Sequence, residues 1–192
     1  MFDLRIRKYG DPILRRKAKL VEKLDAEEKE ILSDMAKIMY ENEGVGLAAP
    51  QIGIDKRLIV VDTRRELLKL VNPKILEKEG KGFLSEGCLS LPEIFVRVNR
   101  ADKITVEGLN ENGELVRLNA TDFFARVIQH EIDHLNGVLI IDYATQERKE
   151  KLKDNLEKIA NHTKMIFEVK HKNLKKKFNV QDVRGEKDEI GG

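Results

Sequence analysis

The segment Gln129-His130-Glu131-Ile132-Asp133-His134-Leu135-Asn136-Gly137 contains the pattern H-E-x-x-H, in which two histidines stand four positions apart. On an α-helix such residues share one face, so His130 and His134 can direct two imidazole rings at one metal ion. Glu131 flanks the same face and can reach a water molecule on that metal. The pattern therefore predicts a metal-binding helix.

The same pattern can also arise by chance on a solvated helix whose histidines are only structural. Two observations favour the metal site. The chain has four histidines in all, and half of them belong to this pair. The flanking residues are apolar, which suits a helix buried beside a cleft. Asp122 is a suitable N-cap for that helix, and Gly137 supplies its stop.

A catalytic metal centre usually has three protein ligands and one open position. In one large class of proteases the third ligand follows on the same segment, as H-E-x-x-H-x-x-G-x-x-H. This chain matches that pattern through Gly137 and then has Ile140 where the last histidine would stand. The third ligand must therefore come from another part of the chain.

Composition indicates one cytoplasmic globular domain. The chain has 192 residues, with Lys+Arg 36 against Asp+Glu 34, so its net charge demands neither nucleic acid nor a membrane. No apolar run approaches the roughly 20 residues that a membrane span needs. A single cysteine excludes an intrachain disulfide, and the N-terminal residues lack an apolar signal core, which favours a reducing compartment.

Periodicity predicts helices at both ends and strands between them. A capping box at Asp25 begins a helix that continues to about Tyr40, and a long helix spans about Gln146 to Lys172. Asn72-Pro73 is expected to break one strand region into two. Strands are predicted over 57–62, 67–71, 74–76, 94–98, 103–109 and 114–118. The lysine-rich end is expected to be a flexible, solvated tail from 171 to 192.

Two further segments lack regular periodicity. Residues 44–53 combine three glycines with small apolar residues, so they form either a close approach to a ligand or a tightly packed turn. Gln51 is the notable polar residue there, and its amide could donate a hydrogen bond into a site. Residues 86–90 hold the only cysteine, Cys88, for which a loop is more plausible than the core. Glu86 either pairs with Arg100 or is solvated.

Taken together, three segments resemble the signature set of peptide deformylases: Gly44 to Gly53, Glu86-Gly87-Cys88-Leu89-Ser90, and Gln129 to Gly137. The resemblance covers roughly residues 1–165. It implies an α+β fold in which small antiparallel sheets surround a central metal-binding helix, with an N-terminal helix and a long C-terminal helix. Residues 1–170 would form one catalytic domain.

The resemblance implies that Cys88 is the missing ligand beside His130 and His134. A thiolate and two imidazoles suit Fe²⁺ or Zn²⁺ and leave a fourth position for water. Family members are similar in preferring Fe²⁺, with Zn²⁺, Ni²⁺ or Co²⁺ able to substitute. One divalent ion is therefore expected, with Fe²⁺ first.

The implied reaction removes the N-formyl group from N-formylmethionyl nascent peptides and releases formate. Glu131 would take a proton from water and return it to the departing nitrogen. The Gln51 amide and the backbone N–H of Leu89 would stabilise the developing negative charge. Further residues would bind the peptide: Gly44 and Gly46 by close approach, Gly87 by strand pairing, and Phe123 and Val127 around the methionine side chain.

Two other functions stay open from the residues alone. One is a zinc endopeptidase of the H-E-x-x-H kind, against which Ile140 and a thiolate ligand count. The other is a non-catalytic protein in which metal staples the fold and the basic C-terminal region binds the ribosome. No membrane association and no sequence-specific binding of nucleic acid are expected.

Overall fold

A computed structural model of the protein describes residues 4–64 and 66–177, with side chains described through residue 169. The described residues form three α-helices: α1 (Ala26–Glu41), α2 (Asp122–Leu135) and α3 (Gln146–Lys177). They also form seven strands: β1 (Gly46–Ala48), β2 (Leu58–Val61), β3 (Leu68–Glu79), β4 (Gly82–Cys88), β5 (Leu91–Arg100), β6 (Lys103–Leu109) and β7 (Leu115–Thr121). Short 3-10 segments occupy Pro12–Arg15, Ala49–Ile52 and Ile140–Tyr143.

The strands form two antiparallel sheets. Five of them pair in the order β1-β2-β3-β6-β7, and β4 pairs with β5 in a separate hairpin. Helix α2 contacts β1, β2, β6 and β7 of the larger sheet. The apolar side chains of α2, including Val127, Ile128 and Leu135, are buried in a cluster with residues of that sheet. The predicted α+β fold, with antiparallel sheets and helices at both ends, is confirmed.

Helix α1 forms as the sequence predicts. The Asp25 side chain accepts a hydrogen bond from the Glu27 backbone N–H at 3.0 Å, and Glu28 completes the capping box. Its apolar stripe, with Leu32, Met35 and Met39, is fully buried against β1 and β2. This packing fixes the segment that leads from α1 into β1.

Helix α3 continues to Lys177, beyond the predicted end at Lys172, and residues 178–192 lie outside the described part of the chain. The expected tail at 171–192 is therefore described only where its first residues continue the helix backbone. Leu152 and Leu156 anchor the first half of α3 in a cluster with β5. Among the described residues, every helix is too short or too polar to cross a membrane.

Three local expectations were wrong. The strand regions around Asn72-Pro73 form one strand, β3, because a register shift absorbs the two residues and the Asn72 amide binds the Val21 backbone. Cys88, expected in a loop within residues 86–90, is the last residue of strand β4. Asp122 does not cap α2: it is the first helical residue, with φ 55°, and the N-cap Thr121 accepts no side-chain capping bond.

Candidate metal centre

The cysteine of β4 and the two histidines of α2 meet at one point. Ligand atoms of Cys88, His130 and His134 all lie within 4.8 Å of one another, and Cys88 Sγ is 3.2 Å from His134 Nε2. The two imidazole rings lie edge to face with centroids 5.0 Å apart. One helix turn and one strand end thus direct a sulfur and two nitrogens at the same small volume.

The hairpin β4–β5 explains how Cys88 reaches the helix. Alternate residues of a strand share a face, so Glu86 and Cys88 both face α2 while Gly87 stays exposed at the strand edge. A register shift between Glu86 and Cys88 bends the strand as it turns into β5. Cys88 ends β4 and is half-buried, so it does not occupy an inert core position.

Behind His130, the carboxylate of Glu86 is held by three side chains. His130 Nδ1 lies 3.0 Å from Glu86 Oε2, Arg100 Nε donates to Oε1 at 2.7 Å, and Arg126 Nη1 donates to Oε1 at 2.9 Å. Burial would raise the pKa of Glu86, but the His130 and Arg100 hydrogen bonds outweigh it and lower the pKa to about 2. An ionised Glu86 favours the His130 tautomer with the proton on Nδ1, which leaves the lone pair of Nε2 available to a metal ion.

The same network reaches Asp133, on the next face of α2. Arg100 Nη1 donates to Asp133 Oδ2 at 2.8 Å, and the Tyr143 hydroxyl donates to the same oxygen at 2.8 Å. Arg100 is buried, so its charge is neutralised by two carboxylates rather than by water. The pairing of Glu86 with Arg100 that the sequence left open is thus present in the structure.

Glu131 has different surroundings. It is buried, and its Oε2 has no hydrogen-bond partner in the described part of the chain. Burial raises the pKa of Glu131 to about 7, against the opposing charges of His130 and Arg100. A carboxyl group with that pKa can accept and return a proton near neutral pH. Glu131 lines a cleft, where a ligand atom can partner the orphaned oxygen.

The Gly-rich segment forms the opposite wall of that cleft. A side chain at Gly46 would overlap the carboxylate of Glu131 and approach Val127 Cγ1 to 2.8 Å, so only glycine fits there. Gln51 is buried; its Oε1 accepts from the Ala48 backbone N–H at 2.8 Å, while its Nε2 lies 3.6 Å from Cys88 Sγ and 3.3 Å from Ser90 Oγ. Its donor group therefore lies beside the Cys88 sulfur.

The cleft has a volume of about 720 Å³, within the range of ligand-binding pockets. Every residue that the sequence singled out lines it except His134, which lies behind Cys88. The lining residues in that set are Gly44, Gly46, Gln51, Gly87, Cys88, Leu89, Phe123, Val127, His130 and Glu131. Val127 is buried, whereas Phe123 is 49% exposed at the cleft mouth.

The donor set fits a transition metal ion. A thiolate and two imidazoles are ligands that Fe²⁺ and Zn²⁺ accept, and the spacing of the three atoms allows one ion to contact all of them. Burial lowers the pKa of His134 well below its ordinary value, which keeps this ring neutral as a metal ligand must be. These features define a class of protein: metal-dependent hydrolases built on an H-E-x-x-H helix.

Comparison with known proteins narrows the class to one family. The sequence profile of the polypeptide deformylase family matches residues 3–150. The peptide deformylase of Halothermothrix orenii is 54% identical over 141 residues, covering 72% of this chain and 92% of the relative. That of Syntrophomonas wolfei is 54% identical over 140 residues, covering 73% and 92%.

The crystal structure of peptide deformylase from Thermus thermophilus superposes with a TM-score of 0.79 at 40% identity, covering 85% of this chain and 99% of that one. The chain belongs to the polypeptide deformylase family. It is an enzyme, a metal-dependent hydrolase that removes the N-formyl group from nascent peptides.

Sequence reasoning missed three residues of the site. Arg126 donates to the buried Glu86 carboxylate. The sequence offered a sign of this role, because Arg126 is a cation on an apolar stripe, one helical turn before His130. Ser90 accepts from the Gln51 amide. Lys8 Nζ donates to the Leu89 carbonyl at 2.7 Å from the distant N-terminal segment, a contact for which the sequence carries no signal.

Proposed function

We propose that Cys88, His130 and His134 hold one divalent ion and that Fe²⁺ is the native ion, with Zn²⁺, Ni²⁺ or Co²⁺ able to substitute. The observation that carries this proposal is the convergence of one sulfur and two nitrogens within 4.8 Å. A soft thiolate beside imidazoles suits Fe²⁺ and Zn²⁺ alike, and the family resemblance favours Fe²⁺. A neutral His134 and a His130 oriented by Glu86 support the same assignment.

The proton transfers are assigned to Glu131. A bound divalent ion supplies Lewis acidity and lowers the pKa of water. Glu131 takes the proton of the attacking water, and the water oxygen forms the new bond to the formyl carbon. As the carbon–nitrogen bond breaks, Glu131 returns that proton to the departing amine, so the products are formate and a free N-terminus. The raised pKa of Glu131, about 7, suits both transfers.

Two hydrogen-bond donors are assigned the role of stabilising the negative charge that develops on the formyl oxygen. Gln51 Nε2 lies beside Cys88 Sγ, and its orientation is fixed because Oε1 is held by the Ala48 backbone. Leu89 directly follows Cys88, so its backbone N–H lies at the same edge of the site. Donors fixed before the reaction stabilise developing charge more than mobile water does.

The peptide is proposed to bind along β4. Among the described strands, β4 pairs only with β5, which leaves its other edge, at Gly87, for an added strand. The absence of side chains at Gly44 and Gly46 allows the formyl end to approach the helix. Val127 and Phe123 then form the apolar surface for the methionine side chain.

The test is formate release from formyl-Met-Ala-Ser by protein purified without oxygen, combined with metal quantification. We expect one divalent ion per chain, release of formate, and loss of both metal and activity in Cys88→Ala. A casein assay run in parallel addresses the endopeptidase alternative. Casein cleavage without formate release would refute the assignment, and so would full activity in Cys88→Ala.

We also propose the extent of the catalytic unit, a contact with the ribosome and a cytoplasmic location. Residues 1–170 are assigned to the catalytic unit and 171–192 to a basic extension that contacts the ribosome, where formylated chains emerge in the cytoplasm. The lysines at 170, 172, 175, 176 and 177 support an electrostatic contact with RNA. Co-sedimentation with ribosomes should therefore decrease on truncation after residue 170 while formate release persists; unchanged co-sedimentation would refute the contact.

A further inference from the structure

A second cavity, of about 850 Å³, lies against a different face of α2 from the metal centre. Gln129, Ile132 and Asp133 of α2 line it together with the C-cap residue Asn136, whereas the cleft is lined by Val127, His130 and Glu131. We call it the basic cavity because six cationic side chains line it: Lys17, Arg57, Lys74, Lys78, Lys81 and Arg100. The ligand-binding role inferred for this cavity is independent of the deformylase reaction.

Glu86 and Asp133 already neutralise Arg100, but negative charge compensates the other five cations little. Among the residues that the structure describes, the only carboxylate that lines the basic cavity is Asp133, which is already engaged by Arg100 and Tyr143. Asp102 lies at one end, beside Gly80. Arg57 donates only to neutral acceptors, the Leu135 carbonyl and the Asn136 side chain, both at 3.1 Å. The cavity therefore carries an excess of positive charge.

Four of its lysines are available to a ligand. In the described part of the chain, Lys17, Lys74, Lys78 and Lys81 have exposed side chains that form no ion pair and no hydrogen bond. Several lysines elsewhere on the surface are paired, as in Lys56 with Glu27 and Glu28, Lys69 with Glu111, and Lys151 with Glu147. Unpaired cations around a concavity favour an anionic occupant.

The floor of the cavity is apolar, which restricts the kind of anion. Ala18, Pro73 and Ile132 are buried there, and Ile75 is partly buried. A volume of about 850 Å³ accommodates an organic molecule the size of a nucleotide. A surface that binds an RNA backbone presents cations along an open face. In this cavity, the cations surround a recess with an apolar floor.

We propose that the basic cavity binds a small organic phosphate, with the phosphate held by Lys78 and Lys81 and an apolar or planar body on Ile75 and Ile132. Lys78 is near the end of β3 and Lys81 directly precedes β4, so both lysines of this rim flank the turn through Gly80, where the Asp102 carboxylate also lies. Arg57 extends the positive charge toward the floor.

The experiment titrates adenosine monophosphate, as the probe, into the metal-loaded full-length protein by isothermal calorimetry at low salt. Adenosine is the uncharged control. The variant Lys78→Gln/Lys81→Gln is compared with Lys29→Gln/Lys158→Gln, which removes the same charge from exposed positions outside the cavity. We expect saturable binding that the first pair weakens at least about tenfold and the second leaves unchanged.

Two further readouts complete the test. Formate release should be the same in both variants, because neither contains a residue of the metal centre, and adenosine should bind more weakly than its monophosphate. A single-stranded RNA oligonucleotide tests the polyanion alternative. The proposal would be overturned by an absence of saturable binding, by equal weakening in both variants, or by RNA binding in the absence of nucleotide binding.

Discussion

Two buried glutamates lie on the two sides of the His130 ring, and their surroundings are opposite. Glu86, behind the ring, has both carboxylate oxygens bound by Arg100, Arg126 and His130. Glu131, in front of it, is equally buried and has an oxygen without a partner in the described chain. The pKa of Glu86 falls to about 2, and that of Glu131 rises to about 7.

The comparison shows how one functional group serves two tasks. A carboxylate surrounded by cations stays ionised and can orient a histidine, but it cannot exchange a proton near neutral pH. A carboxyl group that is desolvated without a partner can exchange that proton, at a cost in stability. The difference arises from the neighbours, since the two side chains are chemically identical.

The largest expected effect comes from removing Glu131, the proposed proton carrier in front of the ring. Glu131→Gln keeps the shape but cannot take or return a proton, so we expect kcat to fall by about 10²- to 10⁴-fold. Metal content should not change, because no ligand is lost. Formate release and metal quantification measure both, with exposed Asp122→Asn as the control; normal turnover in Glu131→Gln would remove this residue from the mechanism.

The next-largest effect is expected from Gln51, the hydrogen-bond donor on the same side of the His130 ring as Glu131. Gln51→Ala removes an amide beside Cys88 Sγ, and we expect kcat to fall by about 10²- to 10³-fold with metal retained. Ser90→Ala, which removes only the hydroxyl partner of that amide, should lower kcat much less. An unaffected rate in Gln51→Ala would mean that the segment serves packing alone.

A smaller effect is expected behind the ring. Glu86→Gln weakens the orientation of His130 and leaves Arg100 and Arg126 without their shared countercharge, so metal affinity should decrease by about 10- to 100-fold. Competition with a chelator measures it, and Glu150→Gln on the exposed side of α3 is the control. If affinity is unchanged, the network contributes to the fold and not to the metal centre.

The smallest effect is a dependence of stability on pH. Because the pKa of Glu86 is lowered to about 2 in the folded chain, its contribution is fully present above its ordinary pKa of 4.5 and is lost as pH falls toward 2. The free energy of unfolding should therefore decrease less steeply over this interval in Glu86→Gln than in the wild type. Parallel slopes in urea titrations at each pH would contradict the lowered pKa.

Much of the fold was predictable because local patterns agree with it. The capping box at Asp25, the stripe through Met35, and the turn after Leu109 each specify an element through neighbouring residues. The errors arose where tertiary contacts override a local signal. Asn72-Pro73 reads as a break, yet β3 continues because β6 supplies a partner and Val21 binds the Asn72 amide.

The residues of the site likewise divide into those that local patterns predict and those that only tertiary contacts bring together. The spacing of His130, Glu131 and His134 follows from the helical repeat, so the sequence alone specified two nitrogens and a carboxyl group on one surface. Cys88 was assigned by family resemblance, because no rule of spacing links residues that far apart in the chain. Only the tertiary structure brings its sulfur to the rings.

By itself, then, the sequence determined which chemical groups the protein carries and the local elements that hold them, because helical and strand repeats depend on near neighbours. The tertiary structure decided how each group behaves. It gave Glu86 two arginines and Glu131 none, since pKa values depend on burial and on charges delivered from distant segments. It also places unpaired lysines from three segments of the chain around one recess with an apolar floor. No pattern in the sequence predicts that arrangement.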